Sequence, residues 1–142
     1  MKRKNLFIIL LPVLLLLLFV GRATVFSRQA VITRTVHRNQ TQLLQYIEAG
    51  EPRQSEQLHG IRIVRTYPEG LVEFCCDGMG LGSATSYYGF YYAPDGRMDA
   101  LWCAGTPLVS HGQGWLYEEK GGDNRYYTEH ITGDFYYYEA SF

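Results

Sequence analysis

The chain has only three cysteines, and none precedes Cys75. Lipid attachment through a cysteine at the end of the N-terminal apolar segment is therefore excluded. Neither a C-x-x-C nor an H-x-x-x-H pair occurs among the three cysteines and four histidines, so the usual zinc-ligand spacings are missing. Asp95, Asp99 and the Asp123-Asn124 pair match no calcium-loop pattern. No metal and no cofactor is expected. The glycine-rich stretch Gly78-Met79-Gly80-Leu81-Gly82 has no lysine and no helix signal behind it. A phosphate loop needs glycines that open onto a helix N-terminus, so this stretch reads as part of a connector over residues 77–85.

Basic residues are scarce in the second half. Residues 66–142 carry three Lys/Arg against eleven Asp/Glu, a net charge of −8, whereas residues 1–65 carry +7. Nucleic-acid binding requires clustered cations to neutralise phosphates, and the acidic half excludes it. A nucleophile would have to come from Cys76 or a serine near His111 or His130, and no local signature joins them.

One long hydrophobic run is present. Leu6 to Val20 is unbroken and apolar, and it follows Lys2, Arg3 and Lys4. This is a membrane-targeting segment, read apart from the fold. Two fates fit it. It is a membrane anchor, with residues 6–20 in lipid, or a signal peptide cut after Ala23. The basic start favours a cytoplasmic N-terminus and a C-terminal domain outside. The predicted organisation is residues 1–23 as anchor or signal, residues 24–38 as a basic linker, and residues 39–142 as one extracytoplasmic domain.

Asn39 with Gln42 reads as a helix start, Leu43, Leu44 and Ile47 as its apolar face, and Gly50 with Pro52 as its stop. A short helix over residues 39–49 is predicted. Strands follow, with Tyr67-Pro68-Glu69-Gly70 as a hairpin turn between residues 61–66 and 71–76. The densest strand signal is Ser86-Tyr87-Tyr88-Gly89-Phe90-Tyr91-Tyr92-Ala93. It is expected to pair through Pro94-Asp95-Gly96 with residues 98–104. Turn signals then delimit strands over residues 115–120, 125–131 and 135–142. The predicted class is α+β: an N-terminal membrane segment, one short helix and a mainly antiparallel, tyrosine-rich β-meander of six to seven strands.

The segments Ser86-Tyr87-Tyr88-Gly89-Phe90-Tyr91-Tyr92, Gly121-Gly122-Asp123-Asn124-Arg125-Tyr126-Tyr127-Thr128-Glu129 and Tyr136-Tyr137-Tyr138-Glu139-Ala140-Ser141-Phe142 carry a resemblance. The chain from the central strand onward resembles a group of small membrane-anchored proteins of Gram-positive bacteria with a Tyr-rich C-terminal β domain. No activity is assigned to that group. The resemblance implies a location and an architecture and carries over no site residue.

Strand alternation sorts side chains between faces. If charge marks the outer face, Val72, Phe74 and Cys76 go inward, as do Met98, Ala100 and Trp102, then Trp115 and Tyr117, and Tyr136, Tyr138 and Ala140. The row Tyr88, Phe90 and Tyr92 reads as core. The outer face is then expected to present Tyr87, Tyr91, Tyr127 and Tyr137 beside Glu73, Asp99, Glu129 and Glu139. Such a face suits an envelope glycan or a basic protein patch; the same tyrosines also serve simply as strand formers. Cys75 and Cys103 fall on that face too. A disulfide between them is predicted, leaving Cys76 as a buried thiol, with three free thiols as the alternative. The function this supports is a membrane-tethered, non-enzymatic extracytoplasmic binding domain. A small envelope hydrolase and a structural envelope protein are the alternatives.

Overall fold

The computed structural model describes residues 27–81, 84–101 and 105–142. The apolar run 6–20, the cut after Ala23, Trp102 and Cys103 lie outside them. Among the described residues no helix is long and apolar enough to cross a membrane. The chain divides into two units, residues 1–31 and 32–142.

Among the described residues one α-helix, α1, runs from Arg28 to Glu48. It takes in most of the predicted linker as well as the predicted short helix. Ser27 caps its start, its Oγ accepting the Ala30 N–H at 3.2 Å. No glycine or proline interrupts the sequence from there to Gly50. Ile32, Val36 and Leu43 form a buried stripe along it, so the apolar face begins well before the predicted start. Asn39 does not cap. Its Nδ2 donates to the Thr35 carbonyl at 2.8 Å, inside the helix. The predicted stop is correct: Gly50 has φ +73°, and Glu51 N–H bonds the Tyr46 carbonyl at 2.9 Å, which closes the last turn. Pro52 then opens a short 3-10 helix, Pro52–Gln57.

The sheet has seven antiparallel strands: β1 (Ile63–Thr66), β2 (Val72–Leu81), β3 (Ala84–Tyr92), β4 (Val109–His111), β5 (Gly114–Glu118), β6 (Arg125–Thr132) and β7 (Phe135–Ser141), in the order β1-β2-β3-β7-β6-β5-β4. It is two meanders joined at β3 and β7 rather than one. The predicted connector over residues 77–85 is instead the end of a long hairpin, with Gly78 opposite Tyr87 and Gly80 opposite Thr85. The predicted strand 98–104 is not formed by residues 98–101, which lie in a turn. Gly96 N–H folds back to the Ala93 carbonyl at 3.0 Å, which takes the chain away from β3. The place beside β3 goes to β7, whose aromatic residues match it. Tyr91 stacks on Tyr136 at 5.3 Å, and Phe90 meets Phe135 edge-on at 6.1 Å.

Both faces of the sheet are buried, and this overturns the use of charge as a marker of the outside. The α1 side gathers Ile32, Val36 and Leu43 with Val64, Val72, Phe74, Phe90, Phe135 and Tyr137. Tyr88, Tyr92, Cys76 and Tyr127 pack against the same cluster, so the row read as core is on the expected side. The other face carries Leu71, Tyr91, Ala93, Tyr126, Tyr136, Tyr138 and Ala140, covered by Tyr67, Met98, Ala100, Leu101 and Leu108. Tyr136, Tyr138 and Ala140 are inward as predicted, but in this second core, opposite Val72 and Phe74. The two-sided arrangement explains why β3 and β7 are aromatic on alternate and adjacent positions alike.

Candidate functional site

The predicted outer face does not form one surface. Tyr91 and Glu73 are wholly enclosed, at 0% exposure, on the second core's side. Tyr137 is 2% exposed and packs under α1. Tyr127 and Glu139, cross-strand partners on β6 and β7, also lie toward α1 and are half-buried. The Tyr127 hydroxyl donates to Glu129 at 2.5 Å. Asp99 is outside any strand and accepts the Gly105 N–H at 3.1 Å. Tyr87 lines two open clefts. Among the described residues Cys75 and Cys76 are free thiols; Cys103, the predicted partner of Cys75, lies outside the described residues. Burial raises both thiols above their ordinary range, that of Cys76 to about 12.

The structure does bring a different set together, at the β1 end of the second face. β1 and β2 form a tight hairpin around Pro68-Glu69-Gly70, which sets Arg65 opposite Glu73 and Ile63 opposite Cys75. Glu73 is enclosed, yet it is fully supplied with donors. Arg65 Nη1 donates to both of its oxygens at 3.1 and 3.0 Å, the Tyr67 hydroxyl donates at 2.7 Å, and the Tyr138 hydroxyl donates at 2.7 Å. A buried carboxylate is tolerated only when its charge and lone pairs are met in this way. The bond to Glu73 raises the Arg65 guanidinium further. Burial, then the bond to Glu73, pushes the Tyr67 hydroxyl up to about 12. Tyr138 is driven well above the usual phenol range, by burial first and the Glu73 charge second.

Two shallow clefts open beside this network and share Tyr87. One, of about 380 Å³, is lined by Arg62, Ile63, Cys75, Met79, Thr85 and Tyr87 together with the Gly78 and Gly80 backbone. The other, of about 360 Å³, is lined by Arg65, Tyr67, Tyr87 and Phe142. A β-bulge between Cys75 and Asp77 bends β2 here. Asp77 then pairs with Arg62 at 3.4 Å and accepts the Gly78 N–H at 3.0 Å. The Tyr87 ring lies over Gly78, where even a Cβ would approach it to 3.2 Å, and tilts against Phe142 at 6.4 Å. The clefts therefore combine aromatic and apolar residues with two arginines.

Sequence reading missed Arg62, Arg65, Tyr67, Met79 and Phe142. The predicted turn over residues 67–70 would set Arg65 opposite Val72; the observed connection is one residue longer, with Thr66 opposite Val72, and this brings Arg65 to Glu73. Comparison with protein-family models, curated proteins and solved structures finds no match.

Proposed function

We propose that this chain is a membrane-tethered, extracytoplasmic, non-enzymatic binding domain whose ligand is an envelope glycan seated against Tyr87. The apolar run 6–20 behind Lys2, Arg3 and Lys4 supports the tether. One observation carries the binding site. Among the described residues five large apolar side chains are exposed, and three of them, Ile63, Met79 and Phe142, line the paired clefts. Exposed apolar side chains gathered in one concavity mark a contact surface, whereas scattered ones do not. Flat aromatic faces flanked by hydrogen-bonding groups suit sugar rings. A basic protein patch is a poorer occupant, because Glu73 is enclosed and Asp77 already faces Arg62.

Adhesion of the full chain to purified cell wall tests the reading. Tyr87→Ser and, separately, Phe142→Ser are expected to lower adhesion with the circular dichroism spectrum unchanged. Undiminished adhesion in both folded variants would remove the clefts from consideration. The tether is checked by mass spectrometry of membrane-extracted protein: a mature N-terminus at Thr24, with the protein in the medium, would replace the anchor by a signal peptide.

A further inference from the structure

Helix α1 is basic and free of acid until its last residue. Residues 27–47 hold Arg28, Arg34, His37 and Arg38 and neither Asp nor Glu, and Glu48 closes the helix. Arg34 and Arg38 are about one turn apart, so they share a face. That face lies roughly opposite the buried stripe of Ile32, Val36 and Leu43. Both arginines are exposed, as are His37, Thr41 and Gln45 around them. They belong to the segment expected to be a basic linker, and the helix turns them into one fixed surface. The sheet half has the opposite sign, with a net charge of −8 over residues 66–142.

We propose that the face of α1 around Arg34 and Arg38 lies on the anionic phospholipid headgroups of the bilayer that holds the chain, an inference that rests on the tether reading above. Only residues 21–27 separate the apolar run from α1. A chain of that length spans at most about 25 Å when fully extended, so the tether keeps α1 near the headgroups. Proximity matters because the attraction of a basic segment to an anionic surface fades within a Debye length, about 10 Å at roughly 0.1 M salt. The helix supplies the matching sign, and the same lipid repels the acidic sheet half. The two signs together select one orientation. The sheet packs on the buried stripe of α1, whereas Tyr67 and Tyr87 pack on its other face. Seating α1 on lipid therefore turns the clefts at Tyr87 away from the bilayer and toward the envelope.

The test uses the full chain in lipid nanodiscs of phosphatidylcholine alone or of phosphatidylcholine mixed with phosphatidylglycerol. Modification of arginines by phenylglyoxal, read peptide by peptide by mass spectrometry, reports cover of the face. Arg34 and Arg38 are expected to react about fivefold more slowly in the anionic discs. That protection should be lost between roughly 100 and 500 mM salt. Arg125, exposed on the sheet half, should react at the same rate in both discs. A second readout is the melting temperature by circular dichroism, because lipid that binds the folded state raises it. The wild type should melt higher in the anionic discs, and the double variant Arg34→Gln, Arg38→Gln should lose most of that difference. Equal rates for Arg34 and Arg38 in the two discs overturn the inference and leave the tether standing, as does a melting difference that the double variant keeps. Protection in detergent micelles that grows with protein concentration assigns the face to a second copy of the chain and overturns it too. A mature chain starting at Thr24 and found in the medium ends the tether reading, and this inference with it.

Discussion

The Tyr138 hydroxyl reaches across a whole strand to donate a 2.7 Å hydrogen bond to Glu73. Tyr138 lies on β7 and Glu73 on β2, with β3 between them. The crossing is possible because the β3 residue opposite both Cys75 and Tyr138 is Gly89. One missing side chain gives the tyrosine ring its passage, and the ring gives a buried carboxylate its third donor group.

Tyr138→Phe removes that donor without changing the ring. The expected loss is about 1–3 kcal/mol, because an enclosed charged acceptor is left with one partner fewer. Tyr67→Phe removes another donor to the same carboxylate, but at a half-exposed position where water can substitute, so its cost should be smaller. Urea unfolding of the two variants checks the order.

Gly89→Ala should be among the most damaging small substitutions. A Cβ there would lie 2.2 Å from the Phe74 carbonyl oxygen and 2.8 Å from the Tyr138 ring. Neither the backbone of β2 nor the packed ring can give way by that much, so a loss of about 3 kcal/mol or more is expected. Chemical denaturation gives the value, and nuclear magnetic resonance should show displaced Tyr138 signals.

Tyr91→Ser and Tyr137→Ser are expected to act on the fold rather than on adhesion. Tyr91 is fully enclosed, its hydroxyl donating to the Met98 carbonyl at 2.6 Å and sharing a 2.9 Å bond with Thr128, while Tyr137 is buried on the opposite face. Loss of either ring should cost about 3–5 kcal/mol, the range for removing a buried aromatic side chain. A thermal melt measures it. Cooperative unfolding at the wild-type temperature would show that these rings are not the core residues they are taken to be.

Alkaline pH should destabilise the domain through its tyrosines. Burial raises the hydroxyls of Tyr67, Tyr91, Tyr92, Tyr136 and Tyr138, and burial with the Glu129 bond raises that of Tyr127. Tyrosine in the unfolded chain ionises near about 10. Above that pH the unfolded state has released protons that the folded state retains, so stability falls as pH rises. The contribution is complete below about 10 and is lost for Tyr67 as pH passes its folded value of about 12. Tyrosinate absorbance against pH should therefore show a set of tyrosines that ionises only with unfolding.

Cys75 and Cys76 should alkylate slowly in the native protein near neutral pH, because burial raises both thiols and leaves little thiolate. In urea both should alkylate without a reductant. Protection of Cys75 in urea until reductant is added would instead support the bond to Cys103.

The residue pattern alone determined the turns, the strand-rich tyrosine segments and the helix stop, because those rest on local backbone chemistry. Pro68-Glu69-Gly70 forms its hairpin and Gly50 its left-handed cap wherever the rest of the chain lies. Local signals also carried the α+β class. Tertiary structure alone decided which sides are covered. Alternation sorts residues into two sets but does not say that both sets are buried, and here α1 covers one while Met98, Ala100, Leu101 and Leu108 take part in covering the other. It also decided which strand lies beside β3, since Pro94-Asp95-Gly96 is compatible with a hairpin and with an exit from the sheet. Glu73 was placed outside for being charged. Burial became tolerable only through donors from Arg65 and Tyr67 nearby and from Tyr138, which lies sixty-five residues away in sequence, and a partner at that distance leaves no local trace.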